Sequence, residues 1–347
     1  MEVSGDTAAE PVGRAAPAGG DALDYDALDY TDRLDYTDKE KELGTIPLRG
    51  IVSYMVTPLD DDMHVDERAT RRLVERLIES GVDGLSPLGF VGETTYATGE
   101  QKRELVRIVV DQVAGRVPVV PGVLAASTSE AAALCEDVRE LGAAGIVAMC
   151  QTWGEVTQDE LVRHFARMAA STDLPVTIYR QPALGATLDV ASIGRLAALP
   201  NVCYLKDASG KTGFLLSVQG QVGDAVGIFA ASAHIPALVL QMGGLGWMSG
   251  PACVIPATAR DFYRYAVSGA QEDMWKLQRA IWPLCSFFGQ HSSSVVAKTA
   301  LAMNGMPVGP WFEPQTRLHS GEEDELRQIL SRIRQVRREM GLDSEVL

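Results

Sequence analysis

The chain has 347 residues, of which 46% are hydrophobic, and a formal net charge of −15. This length is enough for one large domain with a substantial core, and the negative charge argues against nucleic acid or an anionic membrane as a partner. The sequence has no run of about 18 uncharged apolar residues, so it predicts no transmembrane helix.

Residues 1–45 are predicted to be an acidic, disordered tail. Up to residue 46 the sequence holds twelve acidic and four basic residues and shows no sustained apolar periodicity. Leu-Asp-Tyr recurs three times there, which leaves two interpretations open, a solvated leader or a short partner-binding segment. The start lacks the basic and apolar regions of a secretory signal, and the five cysteines form no CxxC pair. We therefore expect a cytoplasmic protein with reduced thiols and no zinc site.

From residue 46 to 255, short apolar runs alternate with longer amphipathic stretches. The runs predict strands at 51–56, 84–88, 117–120, 145–149, 176–179, 202–205, 227–230 and 246–249. The amphipathic stretches predict helices at 67–80, 99–113, 130–141, 158–170 and 190–199, three of which begin with a capping-box pattern at Thr98, Ser127 and Thr157. Eight such alternations indicate an α/β fold, the closed (β/α)8 TIM barrel. An open doubly wound sheet is disfavoured because no glycine-rich phosphate fingerprint follows the first strand.

Residues 256–347 are predicted to be a carboxy-terminal helical extension of the barrel. Helix-like stretches lie at 257–267, 271–288, 294–303 and 322–340, and the sequence PWFEP at 310–314 indicates a loop.

The carboxyl ends of barrel strands are where functional groups are expected. Lys206 follows the sixth strand, where desolvation would lower its pKa. A neutral amine can attack a ketone and form an imine, which is an electron sink for carbon–carbon cleavage. Tyr179 ends the fifth strand, and its hydroxyl could move protons to and from the imine carbon. Considered separately, each residue also has a purely structural interpretation. Lys206 could be a surface lysine, and Tyr179 could be a packing residue.

The second strand ends in the turn Gly89-Phe90-Val91-Gly92-Glu93. Two glycines free backbone N–H groups to face a carboxylate, and Glu93 could orient the turn. An ordinary tight turn is the alternative interpretation.

At these residues the sequence resembles the N-acetylneuraminate lyase and dihydrodipicolinate synthase superfamily of class I aldolases and hydro-lyases. The likeness extends over about 50–318 and rests on four motifs in order: GFVGE at 89–93, YRQP at 179–182, LKDASG at 205–210 and GGLGWMS at 243–249. The resemblance implies a TIM barrel, usually a homotetramer, with no metal or organic cofactor. It also implies that Lys206 forms an imine with pyruvate or a longer 2-oxo acid and that Tyr179 carries the proton.

The sequence also departs from the family pattern. Phe90 and Val91 stand where the turn usually offers hydroxyls, and Trp153 stands where the synthases carry a relay tyrosine from the neighbouring subunit. Leu184 takes the place of the synthases' carboxylate-binding arginine, and His234 lies where the lyases have an acidic residue that contacts the sugar. These departures predict a pocket that is more apolar and aromatic than that of either well-known enzyme, with Phe90, Trp153, Leu184 and Trp247 at its mouth.

We therefore predict a lyase or synthase that joins or cleaves 2-oxo acids and an aldehyde, with a less polar partner than sialic acid or aspartate semialdehyde. The catalytic residues are predicted to be Lys206 and Tyr179, and the substrate-binding residues Gly89, Phe90, Val91, Gly92, Glu93, Trp153, Leu184, His234 and Met248. Two alternatives stay open: a sugar-acid dehydratase that uses the same imine, and a catalytically lapsed barrel that acts as a binding protein.

Overall fold

A computed structural model describes residues 38–43 and 47–343 of the chain. Most of the predicted tail, including its Leu-Asp-Tyr repeats, lies outside the described residues. Within the predicted tail, the described part is a short helix, α1 (Asp38–Leu43). The Lys39 amine of α1 donates hydrogen bonds to the carbonyls of Ala197, Leu199 and Val202, so this segment is held against the body of the protein.

Eight parallel strands close into a barrel, as the sequence predicts. The strands are β1 (Gly50–Tyr54), β2 (Gly84–Ser86), β3 (Gly122–Val123), β4 (Ile146–Ala148), β5 (Val176–Arg180), β6 (Val202–Asp207), β7 (Gly227–Ala230) and β8 (Gly246–Ser249). Their order is β2-β1-β8-β7-β6-β5-β4-β3, and a parallel bridge between Leu85 and Val119 joins the two ends. The (β/α)8 fold is therefore confirmed.

The third strand differs from its predicted position at 117–120. In that segment the Pro118 carbonyl accepts from Leu85 and the Val120 N–H donates to Leu85, but Pro118 and Pro121 have no N–H to give to a neighbour. A strand with neighbours on both sides must donate N–H groups to both of them, which proline cannot do. The regular pairing with β4 therefore starts only at Gly122.

Helices fill the connections between the strands. They are α2 (Glu67–Glu79), α3 (Gly99–Val113), α4 (Thr128–Glu140), α5 (Gln158–Ala170), α6 (Val190–Ala197), α7 (Thr212–Val222) and α8 (Pro236–Gln241). Thr98 and Thr157 form complete capping boxes, whereas Ser127 accepts from the Glu130 N–H as an ordinary N-cap. The sequence patterns did not single out α7 and α8.

The carboxy-terminal part is helical, as predicted, and reaches back to the barrel. It comprises α9 (Pro251–Val254), α10 (Pro256–Ser268), α11 (Gln271–Gln290), α12 (Ser293–Met303) and α13 (Ser320–Glu339). Helix α10 packs over β1, as a barrel helix does, while α12 contacts the turn Phe90–Gly92 that follows β2. The extension therefore lies against the carboxyl end of the barrel. None of the described helices is long and apolar enough to cross a membrane.

Candidate active site

A cavity of about 480 Å³ opens at the carboxyl ends of the barrel strands. One part of its wall comes from the barrel and includes Tyr54, Phe90, Val91, Tyr179 and Lys206. The other part comes from α11, the start of α12 and the residues between them, among them Cys285, Phe288, His291 and the three serines 292–294. The candidate site is thus shared between the barrel and its helical extension.

Lys206 lies within β6, in register with Tyr179 on β5. The side chain lines the cavity although the residue is only 3% exposed. In the part of the chain that the structure describes, its amine forms no salt bridge and no hydrogen bond. It contacts the faces of two aromatic rings instead, 3.5 Å from the centroid of Tyr54 and 4.0 Å from that of Tyr179.

Two opposing effects act on this amine. Burial lowers the pKa of Lys206 well below its ordinary value, whereas a cation over aromatic faces is stabilised by about 0.5–2 kcal/mol. Desolvation of an ammonium costs several kcal/mol, so burial dominates. The lysine is therefore biased towards the neutral amine, the form that attacks a carbonyl.

Tyr54 is the barrel residue next to the Lys206 amine that the sequence analysis did not single out. It ends β1, is 1% exposed, and its ring meets that of Tyr179 edge to face, with centroids 6.1 Å apart and planes at 83°. The two rings form a right-angled aromatic corner around the amine of Lys206. The sequence pattern did not mark Tyr54 as a site residue because a tyrosine in an apolar strand is typical of core packing.

Tyr179 is buried, and its hydroxyl accepts a hydrogen bond of 2.9 Å from the Gln181 amide. Burial raises the pKa of Tyr179, the hydrogen bond from Gln181 lowers it in part, and the negative charge of Asp207 raises it further. The net effect is a raised pKa, so the phenol keeps its proton at neutral pH and can donate it.

A buried ionic cluster lies behind Lys206. Asp207 receives hydrogen bonds from Arg180 at 2.7 Å and from His234 at 3.1 Å, and also from the Ser209 hydroxyl. Burial alone would raise the pKa of Asp207, but the hydrogen bonds from His234, Ser209 and Arg180 and the charge of Arg180 lower it overall. Successive strand residues point to opposite faces, so this cluster fixes the end of β6 from outside the cavity.

His234 belongs to that cluster and is not among the residues that line the cavity. Its Nε2 carries the proton given to Asp207, since a carboxylate can only accept. The structure thus places His234 on Asp207 and not in the cavity wall, and its contact with the substrate stays a prediction. Arg180 also has a structural role, because its guanidinium pairs with Asp207 and donates to the Leu188 carbonyl and to Thr187.

The glycines of the turn after β2 are required by close packing. A Cβ on Gly89 would come within 2.5 Å of the Tyr54 ring, and one on Gly92 within 2.9 Å of the Met55 carbonyl. Between them, residues 90–92 form a short 3-10 turn, whose first N–H groups have no partner inside the turn. Phe90 and Val91 line the cavity at this point.

Glu93 ends the turn, and its carboxylate is bound by protein groups on both oxygens. One oxygen lies 2.5 Å from the Lys298 amine of α12, in a pair whose side chains are both 1% exposed. The other oxygen accepts from the Phe312 N–H at 3.0 Å and from the Gln315 amide at 2.8 Å. Glu93 therefore ties the turn to the loop at 310–315, and its charge is not free for a substrate.

The other predicted binding residues lie around the cavity rather than in its wall. Trp153 is 85% exposed, while Leu184 and Met248 are buried. Met248 packs against Tyr54, since its sulfur lies 3.9 Å from the Tyr54 hydroxyl. Trp247, expected at the mouth, packs outward on Phe262 of α10.

The cavity wall contributed by the extension could not be found by examining strand ends. Ser292 and Ser294 both donate to the Gln315 side chain, and Ser293 donates to the Phe288 carbonyl. Cys285 lines the same cavity as Lys206, but burial raises the pKa of its thiol to about 12, so it stays protonated at neutral pH. Among the described residues, no group of three His, Cys, Asp or Glu side chains is placed to hold a metal ion.

Comparison with known proteins places this site in a family. Residues 47–333 match the dihydrodipicolinate synthetase family. The chain is 31% identical over 287 residues to 4-hydroxy-tetrahydrodipicolinate synthase from Desulforudis audaxviator, covering 82% of this chain and 98% of that protein. For the protein of the same name from Halorhodospira halophila the identity is 30% over 290 residues, with 82% and 97% covered. The solved structure of 4-hydroxy-tetrahydrodipicolinate synthase from Methylacidiphilum fumariolicum has a TM-score of 0.81 at 26% identity, covering 85% of this chain and 99% of that chain.

The matched region contains every strand of the barrel together with Lys206, Tyr179 and the turn after β2. Because it also spans most of the chain, the protein belongs to the dihydrodipicolinate synthetase family and is an enzyme of the class I aldolase type.

Proposed function

We propose that this enzyme forms an imine between Lys206 and pyruvate or another 2-oxo acid, and then makes or breaks a carbon–carbon bond. The observation that carries this proposal is the Lys206 amine, which is buried, without an ion-pair partner, and open to a cavity of about 480 Å³. An amine in this state is a nucleophile at neutral pH.

Tyr179 is proposed as the proton carrier of the reaction. Attack of the amine on the keto carbon gives a carbinolamine, which loses water to form the imine. Removal of a proton from C3 then gives an enamine, which attacks the aldehyde. Each step moves a proton near the imine, and the Tyr179 ring lies 4.0 Å from the nitrogen with its hydroxyl held by Gln181. The aromatic corner favours the protonated imine, since aromatic faces attract cations.

The carboxylate of the 2-oxo acid is proposed to bind the N–H groups of Phe90 and Val91, since the N–H of Gly92 already donates to the Gly89 carbonyl. No hydroxyl side chain stands at Phe90 or Val91, so backbone donors must serve, as they do in other anion nests. Gly89, Gly92 and Glu93 support this site by holding the shape of the turn.

Borohydride trapping tests the imine directly. Incubation with pyruvate and sodium borohydride should add the mass of a reduced pyruvyl group, and peptide mapping should find it on Lys206. The control is the same treatment without a 2-oxo acid. If neither pyruvate nor any longer 2-oxo acid gives an adduct on Lys206, the proposed function is wrong.

The acceptor aldehyde is proposed to be less polar than sialic acid or aspartate semialdehyde. The cavity wall contains no arginine, and Lys206 is its one lysine among the residues that the structure describes. The charge of Glu93 is neutralised by Lys298. The hydroxyl groups of the serines at 292–294 donate hydrogen bonds to other groups of the protein. A carboxylate on the acceptor would meet no arginine and no second lysine here, and His291 of the wall already lies 3.5 Å from the Glu322 carboxylate. Desolvation of such a carboxylate is therefore costly.

We therefore expect uncharged aliphatic or aromatic aldehydes to react faster with pyruvate than aspartate semialdehyde does. The difference in kcat/KM should be about tenfold or more, because one unpaired polar group costs about 1–3 kcal/mol. Comparing initial rates of pyruvate consumption across a set of aldehydes checks this. Equal or higher kcat/KM for aspartate semialdehyde would contradict it.

The assembly is proposed to be a homotetramer in the cytoplasm. Trp153 and Tyr96 are exposed aromatic side chains near the mouth of the barrel, and exposed large apolar groups often mark contacts between subunits. The five cysteines are unpaired thiols, as in proteins of a reducing compartment.

A further inference from the structure

Tyr54 is in van der Waals contact with the reacting nitrogen. Its ring centroid lies 3.5 Å from the Lys206 amine, which is the separation of two atoms at optimal contact. Nothing can enter between this ring and the nitrogen, so the amine is closed on the Tyr54 side. The open side faces the cavity.

The Tyr54 ring is fixed on several sides. Gly89 lies so close that a Cβ there would be 2.5 Å from the ring. Tyr179 meets the ring nearly at a right angle, and the Met248 sulfur lies 3.9 Å from its hydroxyl. At 1% exposure the side chain is packed on nearly all sides although it borders the cavity, so these contacts keep the ring beside the nitrogen during the reaction.

An imine and the enamine derived from it are planar, and a new bond at C3 forms perpendicular to that plane. A planar group attached to the Lys206 nitrogen fits beside the Tyr54 face when the two planes are parallel. Tyr179, whose ring is turned by 83° relative to Tyr54, then lies along the edge of the imine.

We propose that Tyr54 is a specificity-determining residue that covers one face of the enamine, so that C3 reacts only on the face towards the cavity. This proposal rests on the imine at Lys206. It makes the stereochemistry of the reaction a property of the Tyr54 ring rather than of its hydroxyl.

Isotope exchange with 2-oxobutanoate tests facial selectivity without any knowledge of the acceptor. In this acid C3 carries two hydrogens, and each face of the plane gives access to only one of them when the methyl group is held in one orientation. In D2O a C3 hydrogen leaves as a proton and a deuteron from the solvent replaces it, so no other reactant is needed. Mass spectrometry then counts one or two deuterons per molecule, after subtraction of the enzyme-free exchange.

We expect the wild type and Tyr54→Phe to add one deuteron and Tyr54→Ala to add two. The fraction carrying two deuterons should rise at least tenfold in Tyr54→Ala at equal total exchange. If Tyr54→Ala does not fold, Tyr54→Leu, which has no flat face, carries the same expectation.

Four results would overturn the proposal. These are two deuterons in the wild type, one deuteron in Tyr54→Ala, a Tyr54→Phe variant that behaves like Tyr54→Ala, and a wild type that exchanges pyruvate but not 2-oxobutanoate. Borohydride trapping of pyruvate in the wild type distinguishes a failure of the proposal for Tyr54 from a failure of the proposed imine at Lys206. An adduct on Lys206 with unselective exchange rejects only the role of Tyr54.

Discussion

Replacing Lys206 by methionine should remove the borohydride adduct and lower the exchange of the pyruvate methyl hydrogens in D2O by about 10³-fold or more, the scale of loss seen when a catalytic nucleophile is deleted. Methionine is unbranched and only one atom shorter than lysine but has no amine, so no imine can form. Proton NMR of pyruvate in D2O measures the exchange rate, and mass spectrometry measures the adduct.

The same substitution should not weaken the fold. Lys206 is buried without an ion-pair partner, and replacing such a group by an apolar one of similar shape is neutral or stabilising. Because burial lowers the pKa of Lys206 in the folded protein, the unfolded chain binds more protons between this lowered pKa and the ordinary lysine value. Stability therefore rises with pH in that range. Lys206→Met lacks this rise, so its advantage over the wild type should be largest at neutral pH and shrink towards pH 10.

Tyr179→Phe is the matched control for the chemistry. It removes a hydroxyl from the same aromatic corner and leaves the amine in place. We expect it to retain the pyruvate adduct while exchange slows by about 10²- to 10⁴-fold, the usual contribution of general acid–base catalysis. Exchange in Lys206→Met at the wild-type rate, or an adduct formed on another lysine, would contradict the assignment of the nucleophile.

The barrel and its lysine could be predicted from sequence because they depend on local patterns. The periodicity of apolar residues predicts the alternation of strands and helices. Lys206 stands at the end of an apolar run, and this position alone places it near the mouth of the barrel. The adjacent strand end brings Tyr179 beside it by the same logic, and the register of β5 and β6 pairs the two residues.

The direction of side chains in short apolar strands could not be predicted in this way. Strand β8 has Trp247 and Met248 side by side, and a shift of one residue exchanges the inward and outward faces. Both residues are apolar, so alternation gave no means to choose. Trp247 was expected at the mouth, but it faces α10, and Met248 lies beneath Tyr54.

Contacts between distant parts of the chain were also beyond the sequence patterns. The wall formed by residues 285–294 depends on how α11 and α12 pack across the barrel, and no local signal at the serines 292–294 indicates it. Glu93 was correctly singled out as a residue of the turn. Its partner Lys298 lies more than 200 positions away in an ordinary helical pattern, so the ion pair appears only in the folded protein.

Lys298→Met should destabilise the protein by about 3–5 kcal/mol, the cost of breaking a buried ion pair on one side. The substitution leaves the Glu93 carboxylate without its cation, although two hydrogen bonds from Phe312 and Gln315 remain. Burial lowers the pKa of Lys298, and the charge of Glu93 and its hydrogen bond oppose that effect, so the two side chains depend on each other. Urea unfolding at pH 7 measures the loss as a lower midpoint.

Lys206→Met is the matched control for this experiment, since both variants replace a buried lysine by methionine. The two lysines differ in that Lys298 has a carboxylate partner and Lys206 has none. The double variant Glu93→Gln/Lys298→Met should recover most of the lost stability, because it removes the unpaired charge as well. A Lys298→Met variant within about 1 kcal/mol of the wild type, a difference near the scale of a single surface ion pair, would show that Glu93 does not need its cation. The turn that holds Phe90 and Val91 against the cavity would then be positioned by packing and by the hydrogen bonds from Phe312 and Gln315 to Glu93.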